Sequence, residues 1–270
     1  MADHLKTIVL DNAEFKISSG KSVEVYRVDL PTDDTTIENW AKHFRNQYCT
    51  DEELIALVEG TGKSKGEFLC DIIFPDERLA PGPSVRSGDF SEALLSDFLE
   101  FTKQYWVPRN RFQSKAARNE SVKGSDIIAI KTVSDSSTSI EDVLAIFESK
   151  GNLSAKNTNT LKNAIEHSAK DYLRLGETLN AIKRRYINKS DVANANKISR
   201  FQNLEDNPYK EYFGAVAFCT SDSINDSEFF KASVDTHPNK DCLHLFVFHG
   251  NGLMNLAHKL YRKAIDDAGS

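Results

Sequence analysis

The chain has 270 residues, of which 40% are hydrophobic and 27% charged, and its formal net charge at pH 7 is −6. A chain of this length buries a sizeable core, and its acidic total argues against a free-standing nucleic-acid binder, which needs concentrated Lys and Arg. The four cysteines lack the paired spacing of a zinc site. No apolar run of about 18 residues and no hydrophobic leader occur, so a cytoplasmic protein without membrane contact is expected.

The first 80 residues mix short strand patterns with helical patterns. Strands are predicted at residues 7–10, 23–28 and 68–74, and helices at 36–47 and 51–58. The proline- and glycine-containing segment 75–83 then indicates a boundary. We therefore expect an N-terminal α+β region at 1–80, interpreted as a partner-binding extension, and a core at 81–270.

A helix is predicted just after this boundary, because apolar residues recur at helical spacing from Phe90 to Phe101. Ser87 or Asp89 is available as its N-cap. Glu92 borders the apolar stripe, so its carboxylate can face the sheet. The alternative is a solvated glutamate in the first turn, which the helix dipole favours.

A hairpin is predicted next. Residues 127–131 and 143–147 are short apolar runs, and the serine-rich segment between them is typical of a turn, centred near residues 136 and 137. An antiparallel pairing about that centre places Asp126 beside Glu148. Glu148 and Lys150 are two residues apart on an extended strand and so point to the same face.

Two carboxylates and an ammonium group therefore converge at one edge of an apolar sheet. Oxygen ligands of this kind suit a hard divalent cation such as Mg²⁺ or Mn²⁺. Such a cation lowers the pKa of a bound water, while Lys150 can orient that water or neutralise charge on a phosphate. This is the chemistry of phosphodiester hydrolysis.

Asp126 followed by Glu148-Ser149-Lys150 resembles the motif of the PD-(D/E)xK nuclease superfamily, although Ser125 stands where the superfamily name has proline. Residues 84–150, with Tyr-Trp-Val-Pro at 105–108 and Arg-Asn-Glu-Ser at 118–121, further resemble the HamA family, the nuclease subunits of bacterial Hachiman antiphage systems. The resemblance implies an α/β, restriction-endonuclease-like fold, in which helices flank a mixed sheet.

The resemblance also implies roles. Asp126 and Glu148 would bind Mg²⁺ or Mn²⁺ together with the backbone carbonyl of Ser149. Lys150 would position the attacking water, and Glu92 would assist through the surroundings of the metal. The substrate would be DNA, and a superfamily 2-type, HamB-like helicase would restrain the nuclease until phage infection or DNA damage.

A local excess of basic residues precedes the hairpin. Such a run is usually a solvated surface, but here it lies where a phosphate backbone would pass. A second basic face is expected on a helical region at 155–189 that is interrupted near Gly176. Strands at 212–219 and 243–248 and a closing helix from Leu253 complete the prediction. The candidate DNA-binding residues are Arg109, Arg111, Lys115, Arg118 and Lys123.

Three weaker patterns are interpreted as structural. A second Glu-x-Lys at residues 14–16 has no upstream carboxylate-bearing strand and is predicted to be an ordinary strand. The Gly-Thr-Gly-Lys-Ser run at 60–64 lacks the first glycine of a phosphate-binding loop and indicates a turn. His244 and His249 fall on opposite faces of a strand, which argues against a shared metal.

Two alternatives to a helicase-controlled nuclease stay open. One is a nuclease fold retained as a DNA-binding or helicase-docking module without catalysis. The other is a repair or restriction nuclease that acts without a helicase.

Overall fold

A mixed β-sheet organises the computed structural model, which describes residues 3–11, 15–109, 111–134 and 136–269. The strand order is β1-β3-β7-β6-β5-β4, with β2 paired to β3 beside this path. Strands β3, β7, β6 and β5 run parallel, whereas β1 and β4 pair antiparallel at the two edges. The strands are β1 Ile8–Leu10, β2 Phe15–Lys16, β3 Ser22–Val28, β4 Ile127–Lys131, β5 Val143–Asn152, β6 Lys210–Cys219 and β7 Leu243–His249.

Helices cover both faces of this sheet. Helices α1, α4 and α9 pack on one face, and α5, α6 and α7 pack on the other. The predicted α/β class, with helices flanking a mixed sheet, is confirmed. The α-helices are α1 Asp34–Asn46, α2 Asp51–Val58, α3 Lys65–Phe68, α4 Gly82–Asp97, α5 Thr160–Ser168, α6 Asp171–Asn188, α7 Val192–Ser199, α8 Ser221–Ile224 and α9 Leu253–Gly269, and π-helical turns follow at Leu69–Ile73 and Phe98–Thr102.

The first 80 residues contribute to the same sheet and core as the rest of the chain. In the parallel pair of β3 and β7, Val25 lies opposite Val247. Trp40 of α1 packs against Phe90 of α4, with ring centroids 5.8 Å apart and the rings tilted by 46°, and both rings are buried. The expected boundary at residue 80 therefore separates two stretches of chain that share one sheet and one core.

Some predicted elements differ from the structure. Residues 68–73 of the strand predicted at 68–74 are helical, because Ser64 and Glu67 form a reciprocal cap that starts α3 and the chain continues into a π-helical turn. Helix α4 begins at Gly82, so Ser87 and Asp89 lie inside it and neither is the N-cap. The break in the 155–189 region falls at residues 169–170, between α5 and α6, and Gly176 lies within α6.

Most of the remaining strand and helix predictions hold within one or two residues of their ends. The exceptions are β5, which continues to Asn152 instead of ending at residue 147, and the helical region predicted from residue 155, which begins at Thr160. For the closing helix only the start was predicted. Residue 14 of the second Glu-x-Lys match lies outside the described residues, while Phe15–Lys16 forms β2 as expected. Gly60 and Gly62 have positive φ angles in a turn, in agreement with the structural interpretation of that segment.

Candidate active site at the edge of the sheet

The hairpin of β4 and β5 brings the two parts of the motif together. Ile127 pairs with Phe147, which centres the turn at residue 137 and confirms the predicted register. One step further out, the backbone N–H of Ser149 donates to Oδ2 of Asp126 at 3.0 Å. Asp126 is therefore held against the strand that carries Glu148.

Glu148 lies on β5 and is only 4% exposed. The ammonium group of Lys150 donates to its Oε1, as expected for residues on one face of a strand. Nδ1 of His167, at the end of α5, lies 3.5 Å from the same oxygen. Burial and the nearby charge of Asp126 raise the pKa of Glu148 to about 7, although Lys150 acts in the opposite direction.

Helix α4 approaches β5 closely, and this approach places Glu92. A Cβ atom on Gly151 would lie 2.4 Å from Oγ of Ser91 and 2.8 Å from the carbonyl oxygen of Ser87, so only glycine leaves room for the helix. The Ser87 hydroxyl donates to the carbonyl of Gly151 at 3.1 Å. Glu92, one turn further along α4, consequently faces the sheet edge.

Arg111 links Glu92 to Asp126. Its Nε lies 3.0 Å from Oε2 of Glu92, and its Nη2 lies 2.8 Å from Oδ1 of Asp126. The same guanidinium group donates to the carbonyl oxygens of Ser125 and Val122. Burial raises the pKa of Glu92 well above its ordinary value, with Arg111 opposing and Asp126 adding to that shift.

A further acidic side chain, whose charge acts on this site, was missed by the sequence analysis. Asp171 is the first residue of α6 and has no exposed surface. Burial, together with the charge of Asp126, raises its pKa to about 7, and its own charge contributes to the raised pKa of Glu148. An aspartate at the start of a helix is ordinarily explained by the helix dipole, so the sequence carried no sharper signal.

The candidate DNA-binding residues have mostly internal partners. Arg109 lies 2.6 Å from both Asp97 and Glu100. Lys115 forms a buried ion pair with Asp89. DNA contact by the five residues stays a prediction, and Lys123 is the one whose side chain is exposed. Arg111 pairs with Glu92 and Asp126, and Arg118 lies 2.9 Å from Asp76 and donates to the carbonyl of Cys70.

The donor atoms at the site fit a divalent cation by their chemistry. Among the described residues, no three or more His, Cys, Asp or Glu side chains are arranged closely enough to hold a metal ion. Arg111 and Lys150 instead neutralise the carboxylates. Yet every buried side-chain oxygen without a hydrogen bond in the described part of the chain lies here, and such oxygens suit Mg²⁺ or Mn²⁺. These atoms are Oγ of Ser125, Oγ of Ser149, both carboxylate oxygens of Asp171, and Oε2 of Glu92, whose 3.0 Å contact with Nε of Arg111 is an ion pair without hydrogen-bond geometry.

Fold and site together define an α/β protein with a cluster of carboxylates and a lysine at the edge of a mixed sheet. The family profile of HamA matches residues 3–264, and the chain therefore belongs to the HamA family. This membership makes it a protein of Hachiman antiphage defence. No match was found among curated proteins.

Of the helices in the described ranges, none has both the length and the apolarity to cross a membrane.

Proposed function

We propose that this chain is a Mg²⁺- or Mn²⁺-dependent deoxyribonuclease that acts as the effector subunit of Hachiman defence. The observation that carries the proposal is the convergence of Asp126, Glu148 and Lys150, which the hairpin register and the 3.0 Å bond from Ser149 to Asp126 bring to one place. Membership of the HamA family supports the same assignment.

The roles follow from the positions of the side chains. Asp126 and Glu148, with the backbone carbonyl of Ser149, would hold the cation, which when bound lowers the pKa of a water and polarises the scissile phosphate. Lys150 contacts Glu148 and so stands beside the reacting water, where its ammonium group orients that water and offsets negative charge on the phosphate. Glu92 acts indirectly: its carboxylate forms an ion pair with Arg111 and so holds Arg111 against Asp126.

Without a bound cation, Arg111 forms ion pairs with Glu92 and Asp126, and Lys150 forms an ion pair with Glu148. Buried carboxylates need counter-charges, and these two basic side chains supply them. For Asp126 and Glu148 to hold a cation, Arg111 would have to release the Asp126 carboxylate and Lys150 would have to share the Glu148 carboxylate with it.

A DNA-bound helicase of the HamB-like, superfamily 2 type is the partner that this proposal includes. The net charge of −6 and the internal ion pairs of Arg109, Lys115 and Arg118 leave few basic groups for a phosphate backbone. A partner that holds DNA would supply the missing affinity. We expect the complex to act in the cytoplasm.

Two observations favour a second function, a nuclease-fold module that binds DNA or docks a helicase without catalysis. The described residues contain no ready set of three metal ligands, and the motif carboxylates are already neutralised by basic side chains. A protein that kept these residues for stability alone would show the same ion pairs.

Cleavage of plasmid DNA separates the two functions. The purified chain is assayed alone and with its helicase, in Mg²⁺ and in EDTA, beside a Glu148→Gln, Lys150→Ala variant. A matched control is Glu166→Gln, Lys162→Ala, which makes the same changes in an exposed pair 3.8 Å apart. Metal-dependent cutting that is lost only in the site variant supports the nuclease. No cutting with helicase and damaged DNA present, in a complex that still assembles, supports the binding module.

A further inference from the structure

We propose that the corner between α5 and α6 binds a DNA strand beside the active site, with Lys170 and Arg174 contacting its phosphates. This inference rests on the proposed function and deepens it, because it assigns the surface that holds the substrate. Both residues lie outside the motif of residues 126–150 and outside the basic stretch of residues 109–123. Their helices pack against the opposite face of the sheet from α4.

Two contacts hold this corner against the site. At the end of α5, Nδ1 of His167 lies 3.5 Å from Oε1 of Glu148. Within α6, the hydroxyl oxygen of Thr178 accepts a 3.2 Å hydrogen bond from the backbone N–H of Ser125, the residue before Asp126. Residues 168–177 join these two contacts, so this stretch of chain runs along the site from the side of Glu148 to the side of Asp126.

The periodicity of the helix places the two basic side chains on this stretch. Residues four apart on a helix lie on the same face. Arg174 is four residues before Thr178 and therefore shares the face that contacts Ser125. Lys170 is one turn earlier, at the N-cap of α6, and its backbone N–H donates to the carbonyl oxygen of His167 at 3.1 Å. Both residues consequently lie at the rim of the site.

The side chains of Lys170 and Arg174 are available for a ligand. Both are exposed, and neither forms an ion pair within the part of the chain that the structure describes. By contrast, Arg109, Lys115 and Arg118 are paired with acidic residues. An exposed, unpaired cation can contact a phosphate without giving up a protein partner, so DNA contact at the α5–α6 corner breaks no internal ion pair.

The positive charges act together at this corner. Burial lowers the pKa of His167, and the charges of Lys150, Lys170 and Arg174 add to that shift. Exposed basic residues ordinarily form a solvated surface. Here three of them surround an imidazole that contacts Glu148, and clustered charge of one sign attracts a polyanion such as DNA.

DNA binding without cleavage tests the inference. The full chain is titrated in EDTA with a short fluorescent DNA duplex, and anisotropy gives the association constant between about 50 and 200 mM salt. Lys170→Ala, Arg174→Ala is compared with Lys183→Ala, Arg184→Ala. The control pair removes the same charge from the same helix, but its side chains lie away from the face of Thr178.

We expect the variant at the corner to bind about tenfold more weakly in low salt. The logarithm of the association constant should also depend less steeply on the logarithm of salt concentration, with a slope smaller by about two, because each phosphate contact contributes about one. The control pair should keep the slope of the wild type. Lys170→Arg, Arg174→Lys should restore it, since both charges are retained.

Equal affinities and equal slopes for the corner variant and the control variant overturn the inference. A wild type that does not bind the duplex in about 50 mM salt overturns it as well. The proposed function is judged separately, since binding is measured without metal and cleavage is measured in Mg²⁺. Binding through Lys170 and Arg174 without any cleavage contradicts only the nuclease, and metal-dependent cleavage with binding independent of these residues contradicts only the phosphate contact.

Discussion

The backbone N–H of Ser149 donates a 3.0 Å hydrogen bond to the Asp126 carboxylate. This bond lies one step beyond the last backbone pair of the hairpin, Ile127 with Phe147. It fixes Asp126 at the edge of β5, next to Glu148. The spacing of the motif along the chain thereby becomes a spatial cluster, and its members can be tested separately.

Lys150 is expected to contribute to catalysis. Replacement by alanine removes the ammonium group beside Glu148, and we expect the cleavage rate to fall by about 10²-fold or more, the usual effect of losing one charge-stabilising donor. Single-turnover cleavage of labelled DNA measures this rate. Lys162→Ala, on an exposed side chain of α5, serves as the control. Equal rates for both variants would contradict the assigned role.

Arg111 is expected to stabilise the metal-free protein. Arg111→Ala leaves Glu92 and Asp126 without their counter-charge, which should lower the free energy of unfolding by about 3–5 kcal/mol. Urea denaturation in EDTA measures the loss, and added Mg²⁺ should restore part of it. Arg262→Ala removes an exposed arginine and should change stability by less than about 1 kcal/mol. An equally small effect at Arg111 would argue against its bridging role.

Gly151 is expected to tolerate no side chain. Gly151→Ala forces α4 away from β5, because the carbonyl oxygen of Ser87 lies 2.8 Å from the added carbon, and we expect a loss of about 1–3 kcal/mol. Gly176→Ala is the matched control, since nothing lies within 4 Å of its added carbon, and it should stabilise α6 by about 0.5–1 kcal/mol. Thermal denaturation distinguishes the two, and the same sign for both variants would refute the close approach.

The charge of Asp97 should make the free energy of unfolding depend on pH in the acidic range. Its burial tends to raise its pKa, but His4, His43 and Arg109 outweigh burial and hold that pKa well below the ordinary value. A lowered pKa in the folded state gives stability that is present above the unfolded pKa, about 3.9, and is lost as pH falls below it.

We therefore expect Asp97→Asn to cost about 3 kcal/mol at pH 7 and progressively less below about pH 4. Unfolding free energies of both proteins across this range measure the difference. Asp3→Asn changes an exposed aspartate whose ion pair with Lys6 also lowers its pKa but is screened by solvent, so it should show a much weaker dependence. A difference that is constant with pH would show that the charge of Asp97 is unimportant.

The first 80 residues are expected to be required for folding of the rest. A chain of residues 81–270 loses β3 from the sheet and the buried rings of Trp40 and Phe44 from the core. We expect this fragment to be insoluble or to lack a cooperative unfolding transition by circular dichroism, with the full chain as control. A soluble, cooperatively folding fragment would instead establish the separate core expected from the sequence.

The sequence by itself determined the hairpin, its register and the placement of the Glu148 and Lys150 side chains on the same face of the strand. These depend on short-range alternation and on a turn of fixed centre, and such local constraints are readable along the chain. It also indicated the closing helix and most strands, through apolar periodicity. The HamA resemblance, read from residues 84–150, is confirmed over residues 3–264.

Only the tertiary structure decided which charges meet. The charge of Asp171 acts on Glu148 because α5 and α6 pack over one face of the sheet, and no local pattern in the sequence indicates that interaction. Lys115 follows a stretch rich in basic residues but is buried against Asp89, since α4 presents its carboxylates inward. Likewise β3 pairs with β7 from the far end of the chain. Contacts between distant residues depend on the packing of whole elements, so the partners of a charge are set by the assembled fold.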